Sequence, residues 1–411
     1  MVPNGWNSKP LVQLLEKIID YRGQSVPKSS SGIPLITARN VRDGYLDFSN
    51  QEYVDESKFE EWMTRGIPQK GDILFTTEAP LGKACRYPSE GMYAVGQRTV
   101  TLRTNKKLDS EFLLYTILSE RGQLLIDLRS SGSTAKGIKS SELKKVKIAY
   151  PESLLEQRKI AKILSTWDKA ITTTEQLIAA SQQQKKALMQ QLLTGKKRLL
   201  NPETGKVFEG DWEEVAVSQF GSVVSGGTPS TENPSYWNGN VDWVTPTDIT
   251  KLSTRTINKT ARTITEQGLK NSSAKLVPAG SLLVCTRATI GEIAISQHEM
   301  CTNQGFKNLI PNKKTNIDFL YYLMCFEKHK LVSKASGSTF LELSKKDFEH
   351  IRFVVPQVNE QQKIASVLTA ADKEIELLQA KLAHLKEEKK ALMQQLLTGK
   401  RRVKIEEMEI A

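Results

Sequence analysis

The chain has 411 residues, more than one typical hydrophobic core can hold, so roughly two to three domains are expected. It is 39% hydrophobic and 25% charged, which describes a soluble globular protein and excludes disordered and collagen-like chains. Fifty-eight Lys and Arg against 46 Asp and Glu give a net charge of +12, which points to a polyanionic partner, nucleic acid before membrane.

No apolar run reaches the ~18 residues of a membrane span. No stretch of signal-peptide type opens the chain, so a cytoplasmic location is expected. The four cysteines, Cys85, Cys285, Cys301 and Cys325, are too few for a disulfide framework, and none is paired as C-x-x-C. Free buried thiols are expected, and a structural zinc site has no support. All four His lie at or after His298, which excludes a His-dependent site in the first half. No P-loop, dinucleotide fingerprint, H-E-x-x-H or G-x-S-x-G is present. Asn233-Pro234-Ser235-Tyr236 lacks the second proline of an amino-methyltransferase turn and reads as an ordinary turn. No catalytic or metal-binding residue is assigned, and the chain reads as non-catalytic.

In chain order, residues 1–150 read as a mixed α/β unit. GDILFTT at 71–77, TVTLR at 99–103 and VKIAYP at 146–151 are strand-like, and Ser110–Leu128 is an amphipathic helix. The loop Thr37-Ala38-Arg39-Asn40, with Arg42, follows a strand. Arg39 suits a bidentate contact to guanine and Asn40 one to adenine; the alternative is a turn closed by an Asn cap. Gln97 and Arg98 suit base-edge and phosphate contact. Ser133 in the Ser-Gly-Ser-Thr loop at 131–134, with Lys136 and Lys139, could line a phosphate track. Lys144, Lys145 and Lys147 read as a solvated strand edge.

Residues 151–199 read as a long helix. A 4-3 step from Ile160 meets Leu164, Trp167, Ile171, Thr174, Ile178, Ser181, Lys185, Leu188 and Leu192, a coiled-coil seam that Thr174 and Ser181 weaken. Pro151 stands before the helix and Gly195 follows it, as stop and start signals do. Some 40 residues at 1.5 Å each give a rod of about 60 Å. Residues 200–355 form a second mixed unit, with SLLVCT at 281–286 as a strand and Asp318–Lys330 as a helix. Its candidate contacts are Thr245, Thr247 and Asp248 after one strand, Arg287 after another, Gln304 and Lys307, and Ser338 in the Ser-Gly-Ser-Thr loop at 336–339. Residues 356–403 repeat the long helix with Ile364, Leu368, Ala371, Ile375, Leu378, Leu382, Leu385, Lys389, Leu392 and Leu396 as the seam, Pro356 before it and Gly399 after it. Residues 404–411 are an acidic tail.

The chain is therefore written twice. KKALMQQLLTGK at 185–196 returns at 389–400, and EQRKIAKILSTWDKAI at 156–171 faces EQQKIASVLTAADKEI at 360–375 with the same shift of 204. More faintly, Trp6 pairs with Trp212, residues 33–41 with 241–249, and GDILFTTEAPLGK at 71–83 with GSLLVCTRATIGE at 280–292. The fold class expected is α/β (α+β): two tandem-duplicated mixed domains joined by a long antiparallel two-helix coiled coil, since neither helix is expected to be stable alone. The copies differ most in their loops. Two similar frames with different loops would read two different short sequences at a fixed distance.

This order of motifs resembles the specificity (S) subunit of type I restriction–modification systems. The resemblance rests on Val2–Trp6, Gly227-Thr228-Pro229, Trp243-Val244-Thr245-Pro246-Thr247-Asp248 and the two Ser-Gly-Ser-Thr loops. It rests also on Glu-Gln-x-x-Ile-Ala at the entry of both helices and Gln-Gln-Leu-Leu-Thr-Gly at both helix ends. The first copy departs at Pro34–Val41, where Leu35 and Ala38 stand in place of Trp243 and Pro246. The resemblance implies two target-recognition domains, each reading half of a bipartite site in double-stranded DNA, with the coiled coil as ruler. It implies docking of two methyltransferase (M) subunits, and of restriction (R) subunits through the M2S1 core, with no membrane and no homo-oligomer required. S-adenosylmethionine, ATP and Mg would be bound by those partners, leaving this chain without a cofactor. The competing expectation is a two-domain coiled-coil scaffold that binds proteins without nucleic acid.

Overall fold

The computed structural model describes residues 2–132, 135–337 and 341–405. Two compact units emerge. Unit 1 takes the residues up to 174 together with those from 382 onward, and unit 2 takes Glu175–Lys381.

Unit 1 begins with β1 (Trp6–Pro10) and β2 (Leu15–Asp20), then β3 (Lys28–Ser29), β4 (Ile33–Ile36) and β5 (Glu52–Val54). After the short α1 (Phe59–Trp62) come β6 (Ile73–Thr76), β7 (Ala84–Arg86), β8 (Ala94–Val95) and β9 (Thr99–Thr104). The helices α2 (Ser110–Leu118), α3 (Glu120–Asp127) and α4 (Ser140–Leu143) lead to β10 (Lys147–Pro151) and the 39-residue α5 (Leu154–Leu192). One antiparallel sheet has the order β2-β9-β6-β7. A second has the order β3-β5-β4-β8, with β4 and β8 parallel. The termini of the unit are tied by β1 and β10, where Trp6 faces Pro151.

Unit 2 repeats the plan. It runs β11 (Glu213–Ala216), α6 (Val217–Phe220), β12 (Gly221–Ser225), β13 (Trp237–Val244), α7 (Pro246–Thr250), β14 (Thr256–Ile257), β15 (Thr263–Ile264) and α8 (Glu266–Lys270). Then follow β16 (Leu282–Cys285), β17 (Ile293–Ser296), β18 (Cys301–Thr302), β19 (Phe306–Pro311), α9 (Ile317–Phe326), α10 (Lys328–Ser333), α11 (Lys345–His350), β20 (Arg352–Val355) and α12 (Val358–Leu396), the last again of 39 residues. Its sheets have the orders β12-β19-β16-β17-β14 and β15-β13-β18, and β11 with β20 repeats the tie of β1 with β10.

Each unit packs its sheet and its α2 or α9 onto a pair of helix segments. In unit 1, Ile160, Ala161 and Leu164 of α5 meet Leu396 and Leu397 across a core that includes Phe112, Leu113 and Tyr150. In unit 2, Ile364, Ala365 and Leu368 of α12 meet Leu192 and Leu193 beside Phe319, Leu320 and Phe353. Within each unit the two segments run antiparallel. Glu156 meets Arg402 and Asp168 meets Lys389 in unit 1; Arg198 meets Glu360 and Lys185 meets Asp372 in unit 2. The expected seam is the least exposed stripe of both helices. Leu164, Leu192, Ile364, Leu368 and Leu396 are buried, and Trp167, Ile171, Ile178, Leu188, Leu378, Leu382, Leu385 and Leu392 are half-buried, as a 3.5-residue repeat requires. The weak seam position Thr174 is buried and donates its hydroxyl to the Ala170 carbonyl at 2.8 Å, so its polar atom is satisfied inside the helix. Gly195 and Gly399 end the helices with φ of 68° and 69°.

Two expected helices are broken. Ser110–Leu128 is two helices because Ser119 turns extended and caps the second, its Oγ accepting from Gly122 N at 3.0 Å. Asp318–Lys330 likewise divides at Glu327, between α9 and α10. No described helix is long and apolar enough to cross a membrane.

Candidate nucleic-acid interface

The second sheet of unit 1 brings its expected contact loops together, since Thr37–Arg39 follow β4 and Gln97 and Arg98 follow its parallel neighbour β8. A cleft of about 250 Å³ is lined by Lys28, Thr37, Arg39, Gln97, Arg98 and the backbone around Ala79. Four of the residues singled out in the sequence thus come together from two loops separated by some 60 residues. Arg39 is exposed and has no ion-pair or hydrogen-bond partner among the described residues. Arg98 faces Glu78 at 3.0 Å, and Lys28 faces Glu52 at 2.9 Å. Arg42 leaves the cleft for Asp47 at 3.1 Å, and Lys136 pairs with Asp127 at 2.6 Å.

Asn40 is placed otherwise than as a free reader. It is buried, its Oδ1 accepts from the Thr37 amide and hydroxyl, and its amide donates to the carbonyls of Asp47 and Asn50. No donor or acceptor of its side chain is left over, so it acts as the Asn cap that holds Thr37–Arg39 in shape. In unit 2 Asp248 occupies the same place: it accepts from the Thr245 amide at 2.8 Å and hydroxyl at 2.6 Å, while its other oxygen takes the Ala261 amide at 2.9 Å. Thr247, the counterpart of Arg39, is exposed at the start of α7.

The second unit gathers a different chemistry on the same edge. Gln304 is exposed and accepts from the Thr228 hydroxyl. Arg287 reaches Glu342 at 2.5 Å. Lys307 is buried on β19, where unit 1 has Val100 at the equivalent register. Burial pushes its amine below the usual lysine range, Glu342 opposes the shift, and Arg287 and Lys345 add to it. Nearby, the Arg262 guanidinium lies over the Trp237 ring at 3.9 Å and near Trp243 at 5.3 Å. Ser133 and Ser338 lie outside the described residues.

Several residues of this edge escape a reading of one copy at a time. Glu78 and Glu342 stand in ion pairs with expected contact residues, and the aligned segments 71–83 and 280–292 already set Glu78 opposite Arg287. The groups that seat each unit on its helices were also missed. Tyr115 donates to Asp168 at 2.6 Å, and Tyr322 to Asp372 at 2.5 Å. Burial, with the adjoining carboxylate, raises both phenols above the tyrosine range. The identical spacing of Asp168 and Asp372 in the two copies was the available signal.

Among the described residues no group of His, Cys, Asp and Glu has the arrangement of a metal site. Cys85, Cys285 and Cys301 are buried free thiols, and Cys325 is a free thiol at intermediate exposure.

The profile of the type I restriction modification DNA specificity domain matches the chain twice, over residues 3–181 and 209–387. The putative type I restriction enzyme MjaX specificity subunit of Methanocaldococcus jannaschii is 28% identical over 417 residues, covering 98% of this chain and 95% of that protein. The MjaIX specificity subunit of the same organism is 38% identical over 171 residues, which are 40% of this chain and 39% of that relative's length. The crystal structure of a type I restriction–modification S subunit from M. genitalium matches with a TM-score of 0.60 at 16% identity, over 99% of both chains, and so shares the fold. With the domain present twice, on duplicated frames with dissimilar edges, the chain belongs to the family of type I restriction–modification specificity subunits.

Proposed function

We propose that this chain is the non-catalytic, DNA-reading subunit of a type I restriction–modification complex. Residues 1–150 and 200–355 are the two target-recognition domains, each reading one half of a bipartite site in double-stranded DNA. Residues 151–199 and 356–403 set the distance between the half-sites and dock two M subunits, through which R subunits join. Adenine methylation with S-adenosylmethionine, and the ATP- and Mg-dependent steps, belong to those partners.

The observation that carries this reading is the pairing of equivalent loops that keep one glutamine, Gln97 or Gln304, and otherwise differ in their side chains: Arg39 and Arg98 in unit 1 against Thr247 and Gly305 in unit 2. Arg and Gln match the base-edge donors and acceptors of the major groove, and the net charge of +12 supplies the phosphate attraction. Half-sites read from one face of B-DNA lie about 34 Å apart or multiples of it, which a rod of ~60 Å spans.

The test is sequencing of modified adenine in cells that contain the M partner, with and without this chain. The expected result is two dissimilar half-sites at one fixed spacer, present only with the chain. Marks that persist without it, or a single contiguous site, would overturn the reading.

A further inference from the structure

The reading loops of the two units superpose in their main-chain hydrogen bonds. Thr77 N donates to Arg98 O at 3.1 Å, and Thr286 N to Gly305 O at 2.7 Å. Ile138 N donates to Thr77 O, and Leu343 N to Thr286 O, both at 2.9 Å. Glu78 bridges to Gly137, and Arg287 bridges to Glu342. The next residue is an alanine held in the left-handed region in both, Ala79 at φ 46° and Ala288 at φ 62°. A non-glycine residue takes that conformation only where the surroundings impose it. The two loops therefore share one main-chain course up to the alanine, and the residue just before it occupies one place.

At that place the charge is inverted. Unit 1 has Glu78, with Arg98 as counter-ion at 3.0 Å; unit 2 has Arg287, with Glu342 as counter-ion at 2.5 Å. Both pairs are open to water, the unit 1 side chains at 48% and 57% and the unit 2 side chains, at intermediate exposure, at 43% and 37%. Such pairs contribute little to stability and exchange readily for another partner. Arg98 itself lines the cleft with Arg39 and Gln97.

We infer that positions 78 and 287 are equivalent specificity-determining positions, which read opposite base chemistries from one main-chain course. Glu78 accepts a hydrogen bond from the exocyclic amine of a cytosine. Arg287 donates two hydrogen bonds to O6 and N7 of a guanine. In the free protein Arg98 and Glu342 are the counter-ions of these side chains; on DNA the bases replace them, and Arg98 turns to the backbone phosphates. The inversion gives discrimination by exclusion as well as attraction, because a carboxylate set against a guanine edge meets two acceptors.

This inference rests on the DNA-reading function proposed above, and the experiment separates the two. Modified adenine is sequenced in cells carrying the full chain with its M partner, as wild type, Glu78→Gln or Arg287→Gln. The expected result is a loss of preference of about tenfold or more at one base pair, a cytosine in one half-site for Glu78→Gln and a guanine in the other for Arg287→Gln. The half-site of the unaltered unit keeps its letters and serves as the internal control. Wild-type and variant half-sites with identical letters would overturn the inference while leaving the function standing; a wild type without bipartite marks would sink the function itself. If a Gln variant leaves no marks at all, Glu78→Asp and Arg287→Lys decide. Relaxation at the same base pair supports the inference, and unchanged preference overturns it.

Discussion

In unit 1 Tyr115 donates to Asp168, which also receives Lys389; in unit 2 Tyr322, Asp372 and Lys185 repeat the arrangement. Gln157 donates to the Pro151 carbonyl at 2.8 Å and accepts from the Asp109 amide, as Gln361 does with Pro356 at 2.9 Å and with Asn316. Trp6 lies against Gly399, and Trp212 against Gly195. The side of each unit that meets the helices is thus the same structure twice. The reading loops are not: Arg39 becomes Thr247, Glu78 becomes Arg287 and Arg98 becomes Gly305. The difference follows from packing. Close-packed interiors register a change of one methylene, and a buried polar network fails if one member is lost. An exposed loop held by its main chain accepts either sign of charge.

The equivalence of the helix-facing sides can be broken by mutation. Arg198 makes a two-pronged contact to buried Glu360, at 2.6 and 2.7 Å, and Arg402 makes the same contact to buried Glu156. Arg198 is 22% exposed and Arg402 is 47% exposed. Arg198→Met leaves a buried carboxylate unpaired and should cost about 3 kcal/mol in urea unfolding. Arg402→Met should cost less, because the Arg402 side chain is already half open to water, which can enter beside Glu156 once it is removed. Equal losses would show that the two contacts do not differ as their exposure says.

A smaller effect tests the sheets. Burial pushes the thiols of Cys85 on β7 and Cys285 on β16 up to about 12, and that of Cys301 equally. At pH 8 these groups are neutral and enclosed, so iodoacetamide should leave them unmodified in the folded chain and label them once urea unfolds it. Labelling of Cys85 but not Cys285 under native conditions would show that the first unit opens where the second does not.

The helices were legible from the sequence because their signals are local and periodic. The seam from Ile160 to Leu192, Gly195 at its end and the 204-residue return all survive in the fold. The breaks at Ser119 and Glu327 were not legible, because apolar spacing continues through them and only a side-chain cap or a turn interrupts the chain. Sheet order is set by contacts far apart in sequence, such as β2 with β9 and β12 with β19, and no local pattern encodes them. At the candidate interface, residue type picked out two loops that the fold brings together, since Thr37, Arg39, Gln97 and Arg98 share a cleft. It could not tell Arg39, which is exposed, from Asn40, whose amide is spent on the turn, since both have the donors a base would need.

In the function proposed above, α5 and α12 measure distance while the loop edges read letters. Lengthening the helical segment near Thr194–Lys197 and sequencing modified adenine in cells with the M partner puts that division directly to the test. The spacer between the half-sites should change, and the letters of both half-sites should stay as they were. Altered letters at an unchanged spacer would contradict it.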